Sequence, residues 1–298
     1  MKKQETITRR SLIKKSAIAA AGGTLLMNLP VHAFGTENKS TKVVLIRHKD
    51  VVGNKGKINA DILQDMLDRA VASLTGESTT GKAWSRIIQP GDIVGIKSNV
   101  WNRLSTPPGL ESAIKRRVQE TGVKNGNISI NDRGVLTDPV FQKATALINT
   151  CPLRTHAWAG LGTLIKNYIT FSDNKPSFHP DSCADLATLW EFPQVKGKTR
   201  LNILVVLTPL FYGVGPHHFN RKYVWNYNGL LVGFDPVAVD AVGAELIRTK
   251  RREFFKEDIP INPPPKHILL ADQRYHLGTA DLGRIDLVKL GWKENILI

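Results

Sequence analysis

Cysteine is nearly absent. Cys151 and Cys183 are the only two in 298 residues. With no C-x-x-C pair, the chain cannot by itself build a cysteine-ligated iron–sulfur cluster. In an oxidising compartment the two could pair as a disulfide; two buried free thiols fit the sequence equally well. Long apolar runs are also missing. Residues 16–29 form one, short for a bilayer span, and no second follows. The expectation is a soluble protein with no stable membrane span. No G-x-S-x-G or H-E-x-x-H is present, and the glycine turn at residues 213–218 lacks the Gly-Lys-Ser/Thr of a P-loop, so serine-hydrolase, zincin and P-loop chemistries lose their usual signatures.

Acidic residues are in deficit. Asp and Glu number 26 against 41 Lys and Arg, a formal charge of +15. The first 35 residues hold six basic side chains and Glu5, which leaves about +10 for the remainder. That balance favours acidic partners, such as an anionic small molecule or an acidic exported redox protein. Outside the leader no basic run is interleaved with aromatics, which argues against nucleic acid as a partner. The basic cluster at residues 248–252 reads as an exposed helix end, where cations suit the helix dipole.

The N-terminus carries the most specific local pattern. Thr8-Arg9-Arg10-Ser11-Leu12-Ile13-Lys14 resembles the twin-arginine (Tat) export motif, and the apolar stretch after it ends at Val31-His32-Ala33, an acceptable small-x-small cleavage site. The expectation is a signal peptide over residues 1–33, passage through the Tat translocase, a periplasmic or otherwise exported product, and a single domain over residues 34–298.

From residue 42 onward, strand-like and helix-like segments alternate. Strands are expected at 42–48, 93–96, 128–131, 146–149, 200–207 and 229–232. Helices are expected at 59–74, from 105–108 to 120, from 140, at 182–190 and from Asp235-Pro236 to about 248. Pro263-Pro264-Pro265 reads as a rigid linker, followed by a small tail with strand character at 267–270 and 285–287. The class is α/β, with a mostly parallel central sheet, flanking helices and room for a small extra lobe around residues 150–200.

One stretch, residues 146–171, organises the candidate chemistry. It starts as a strand, breaks at Cys151-Pro152, places Arg154 and His156 just past the break, and runs through Gly160 and Gly162 to Lys166-Asn167. Polar groups after a strand end, followed by a glycine-rich turn, are a usual ligand position in α/β proteins. His156 and Lys166 are the candidate catalytic groups; the histidine could equally be a metal ligand or a core residue bonded to backbone. Lys97 and Asn99 follow a strand and suit a carboxylate or phosphate. Arg154, Asn167 and His179 complete the candidate ligand-binding set. In HPDSCAD, His179 with Asp181 and Asp185 has spacing that could share a metal, although Asp181 also suits a helix N-cap. The turn at residues 213–218 suits a tight, ligand-facing loop.

Several segments together resemble the domain of unknown function 362 (DUF 362) family: IKSN at 96–99, LINTCPLRTH at 147–156, LIKN at 164–167, CADLATL at 183–189, LNILVV at 201–206, GVGP at 213–216 and FDPVAVDAV at 234–242. The last is the most telling, and the resemblance runs from about Asp92 to Gly291. The family usually has Lys-Pro-Asn where Lys97-Ser98-Asn99 stands, and tends to have Lys in place of Arg154. The resemblance implies an exported or ferredoxin-associated protein and leaves the biochemical activity open. Two functions are expected in competition. One is an exported protein that binds an anionic ligand, or a metal or cofactor of unknown identity, in a basic His-containing pocket, with a redox link in view. The other is a non-catalytic accessory or assembly factor for an exported redox complex.

Overall fold

A computed structural model of the chain describes residues 40–101, 103–215 and 219–298. The leader, its twin-arginine motif and its cleavage site lie outside the described residues, as do Pro216, His217 and His218 of the 213–218 turn.

Eight strands form one sheet among the described residues: β1 (Thr41–Arg47), β2 (Val94–Lys97), β3 (Ile128–Asn131), β4 (Ala146–His156), β5 (Gly160–Gly162), β6 (Thr199–Leu210), β7 (Gly229–Gly233) and β8 (Ile285–Gly291). Their order is β3-β2-β4-β6-β7-β1-β8, with β5 paired to β4. The β2/β3, β2/β4, β4/β6 and β1/β8 ladders are parallel; β7 runs antiparallel to both its neighbours, and β5 to β4. The class is therefore α/β with a largely parallel central sheet.

Alternation along the strands splits the core in two. Val44, Ile46, Ile148, Ile203 and Val232 face one layer, filled by α1 (Ala60–Thr75), α2 (Thr80–Ser85) and α3 (Pro108–Glu120). Val43, Leu45, Leu147, Leu204 and Leu231 face the other, with α4 (Pro139–Lys143), α5 (Leu164–Asn167), α6 (Pro236–Phe255) and α7 (Lys266–Gln273). Strands buried on both faces read as continuous apolar runs, as 201–207 does. Helix starts follow their capping chemistry. Asn59 accepts from Asp61 N and Ile62 N at 3.1 Å. Asp235 accepts from Val237 N at 2.8 Å and Ala238 N at 3.1 Å, with Pro236 at the first helical position. No helix among the described residues is long and apolar enough to cross a membrane.

Four segments depart from the sequence reading. The strand at 146 does not break at Cys151-Pro152: β4 runs eleven residues to His156. Proline is accommodated there because the β4/β6 register shifts between Pro152 and Arg154, so the missing N–H falls at an irregularity in the ladder. The helix expected at 182–190 is instead a left-handed turn, with Asp181, Ser182 and Cys183 at φ 48°, 59° and 63°, followed by a 3-10 turn at Leu186–Glu191. Asp181 caps nothing; its carboxylate pairs with Lys266. The strand expected at 267–270 is helix α7, and α6 continues past residue 248 to Phe255. The basic cluster is not wholly exposed: Arg251 is buried and donates to the carbonyls of Ile259, Phe211 and Pro260.

Candidate functional site

Consecutive strands leave β2 and β4 in opposite directions, β2 leading to β3 on its outer side and β4 to β6 on its other. A crevice opens at the carboxyl ends of such strands. Here it is a cavity of about 300 Å³ lined by residues from the β2, β3 and β4 ends, β5, α5 and the 169–179 segment. Asn99, Arg154, His156, Lys166, Asn167 and His179, all expected from the sequence, line it together with Trp101, Asp132, Thr163 and Thr170.

Lys97 stands behind this wall. It is fully buried, and its ammonium donates to Asp132 Oδ1 at 2.6 Å, Ser98 O at 2.7 Å and Asn167 Oδ1 at 3.1 Å. Three N–H groups meet three acceptors. Burial lowers its pKa, and the Asp132 carboxylate opposes that shift. Lys97 thus holds Asp132 and Asn167 in place. Asp132 uses its other oxygen to accept from Val100 N at 2.9 Å. Asn167 Oδ1 also accepts from Asn99 Nδ2 at 3.1 Å, while its Nδ2 donates to Asn149 Oδ1 at 2.9 Å and Thr150 O at 3.2 Å. Asn149 donates to Leu164 O at 3.0 Å and to Asn202 Oδ1 at 3.4 Å, and Asn202 donates to Phe234 O at 2.9 Å. A continuous buried ladder of side-chain hydrogen bonds therefore crosses from the β3 end to the β7 end. The sequence signal for it was present: Asn149 and Asn202 are amides inside otherwise apolar strands.

Arg154 differs from Lys97. It is 7 % exposed, and among the described residues it pairs with no carboxylate. Among the described residues its one hydrogen bond is a long one, from Nη1 to Pro152 O at 3.4 Å, and its buried Nε has no partner there. Gly162 lies directly across the ladder; a Cβ there would stand 3.3 Å from Arg154 Cγ, so the glycine leaves room for the side chain. The guanidinium lies over the Trp101 ring at 4.9 Å, a cation–π contact. Burial lowers its pKa, but a guanidinium stays charged.

Lys166 is also 7 % exposed and has no hydrogen-bonded acceptor among the described residues. Burial, then Arg154, pushes its amine down to about 8, with Cys183 opposing. His156 accepts through Nδ1 from Trp158 N at 3.2 Å and Ala159 N at 3.4 Å. Its proton therefore resides on Nε2, and burial with the neighbouring Lys166 and Arg154 pushes its pKa down to about 2. His156 is a neutral hydrogen-bond donor. His179 stacks on Trp158 with centroids 4.3 Å apart, and burial and Lys166 lower its pKa.

The start of α5, which carries Lys166 and Asn167, is anchored from α6. Asp240, fully buried, accepts from Thr163 Oγ1 at 2.6 Å, Leu164 N at 2.9 Å and Ile165 N at 2.9 Å. A remote carboxylate thereby supplies the cap that Thr163 does not. Burial raises Asp240 to about 7. The sequence alone does not reveal this role, because nothing local to residue 240 points 75 residues upstream.

The metal arrangement considered for HPDSCAD does not form. Asp181 is held by Lys266, and Asp185 accepts from Arg274 and the Tyr275 hydroxyl. No group of three or more His, Cys, Asp or Glu side chains suited to a metal occurs among the described residues. Cys151 and Cys183 are both buried free thiols; burial raises the pKa of each. Gly215 (φ 65°) packs where a Cβ would stand 2.3 Å from Thr155 O, so this turn braces the end of β4.

The geometry defines an α/β protein with a strand-end cavity whose wall holds two buried cations without carboxylate partners among the described residues. A family model described as a domain of unknown function (DUF362) matches residues 94–245, which include β2 to β7, Lys97 to Asn167 and Asp240. The chain belongs to that family. No curated protein and no solved structure matches it.

Proposed function

We propose that this protein binds a small organic anion in the strand-end cavity. The observation that supports this most is the pair Arg154 and Lys166, each nine-tenths buried and each without a carboxylate partner. Buried charges are costly unless paired, so the missing partner is supplied by ligand. The only carboxylate among the described lining residues, Asp132, is already engaged by Lys97. Arg133 and Lys175 add two more cations at the lining. In this reading Arg154 supplies permanent charge, Asn99 and the His156 Nε2–H orient the anion, and Trp101 and Ile169 cover an apolar body. A lone divalent cation is disfavoured by the same charges that favour an anion.

Replacing Arg154 with Gln removes one charge-assisted donor, and affinity for a bound carboxylate or phosphate is expected to fall by about tenfold to a hundredfold. Isothermal titration with pyruvate, succinate and inorganic phosphate measures it; unchanged affinity in the variant would remove Arg154 from the site. The pH profile has a definite sign. Lys166 is charged below about 8 and neutral above, so anion affinity is expected to decline as pH rises through that value.

The twin-arginine motif at residues 8–14 supports a second element of the proposal, export of the folded chain to the periplasm. Arg9→Lys with Arg10→Lys is expected to retain the protein in the cytoplasm, as read by cell fractionation. Efficient secretion of this double variant would show that the motif does not direct export.

A further inference from the structure

We propose that Lys166 is a carbon-directed nucleophile, and that the cavity condenses it with the carbonyl of a 2-oxo acid whose carboxylate is held by Arg154. This rests on the anion reading above and names a substrate class for it.

The argument begins with the contrast between two buried lysines. Lys97 donates to three acceptors and is locked as a cation beside Asp132. Lys166 is similarly hidden, lines the cavity, and has no acceptor among the described residues. The ionisable groups around it are Arg154 and His156 from β4, His179 and Cys183 from the segment after α5, and His267 from α7. None is a carboxylate. A site built only to clamp charge would hold a cation there throughout; this one sheds its proton as pH rises through about 8, the condition that makes an amine nucleophilic. Arg154 keeps its charge under the same conditions. One neutral amine and one fixed cation in one cavity match a ligand with an electrophilic carbon next to a carboxylate.

The chemistry balances without a co-reactant. The neutral Nζ forms a C–N bond to the carbonyl carbon as the C=O π pair moves to oxygen. Proton transfer from nitrogen to that oxygen gives the carbinolamine. The oxygen leaves as water after taking a proton from solvent, and the nitrogen lone pair forms the C=N bond of a protonated imine. His156, holding its proton on Nε2, suits the oxygen as a hydrogen-bond donor through the addition step.

The test uses the full chain with pyruvate and sodium cyanoborohydride, which reduces an imine to a stable secondary amine. Peptide mapping by mass spectrometry is expected to place one adduct on the peptide containing Lys166. It should be absent with lactate, which lacks the carbonyl, and much weaker with acetone, which lacks the carboxylate. The yield should rise with pH through about 8, opposite in sign to the anion-affinity trend. Lys166→Arg, which keeps a charge but removes the nucleophile, should lose the adduct. If pyruvate binds by titration yet modification is absent or spread over surface lysines, the imine proposal is overturned and the anion reading stands. If neither pyruvate nor any other anion binds the wild-type chain, both fall. The wild-type map decides between these outcomes, so a variant that fails to fold does not block the test.

Discussion

Lys97→Met is expected to cost about 3–5 kcal/mol of folding stability, the range for leaving one member of a buried ion pair without its partner. The methionine fills much of the lysine's volume but donates nothing. Asp132 Oδ1, Ser98 O and Asn167 Oδ1 would each lose the donor that Lys97 supplies. The carboxylate is the costly one, since Asp132 is itself buried. Adding Asp132→Asn removes that charge while keeping an oxygen to accept from Val100 N. The double variant is therefore expected to recover most of the loss. Urea unfolding of the four species in a double-mutant cycle measures it. Additive losses would show that the two side chains do not depend on each other, contrary to the 2.6 Å contact.

Asp240→Ala carries the other large effect. It strips the acceptor from Thr163 Oγ1, Leu164 N and Ile165 N, three buried donors. At about 1–3 kcal/mol for each orphaned group, a loss of at least about 3 kcal/mol is expected. Lys166 and Asn167 lie in the helix that Asp240 anchors, so anion binding should weaken with it. Asp240→Asn is the milder probe. The folded carboxyl titrates near 7, above its ordinary 3.8. The native state thus binds more protons than the unfolded state between these values, and this group's contribution to stability declines as pH rises from about 4 to about 7. The Asn variant lacks that slope, so the stability gap between wild type and variant should narrow across this window. A gap independent of pH would show that Asp240 does not titrate there.

The sequence exposed most strand positions, though not the length of β4, which continues seven residues past the expected end at 149 to His156. Apolar β-branched runs such as residues 42–47 and 201–207 pack on both faces of the sheet, and capping chemistry at Asn59 and Asp235 fixes where helices begin. Part of the cavity lining was legible too: Arg154, Lys166 and His179 are polar groups beside apolar runs, whereas Lys97, expected at the ligand, stands behind the wall. What stayed hidden depends on distance along the chain. Whether Lys97 faces ligand or Asp132 is decided 35 residues away. Asp240 reads locally as part of an apolar helix, and only packing of α6 on α5 reveals its target. The left-handed turn at Asp181–Cys183 is invisible to a helical pattern: Asp181 is held by Lys266 of α7, and the nearby Asp185 by Arg274 and Tyr275 just past the end of α7.

The amide ladder has a consequence for folding. Asn149 and Asn202 are direct partners in the β4/β6 register, and both lie on the sheet face that α5 and α6 cover. A slip of one residue in either strand would turn its amide toward the apolar layer under α1 to α3, away from Asn167 and the Phe234 carbonyl. Parallel strands of plain Val, Leu and Ile carry little to distinguish one alignment from the next. These two amides act as an alignment key, penalising every odd-numbered misregistration of the central strands before the cavity is assembled above them.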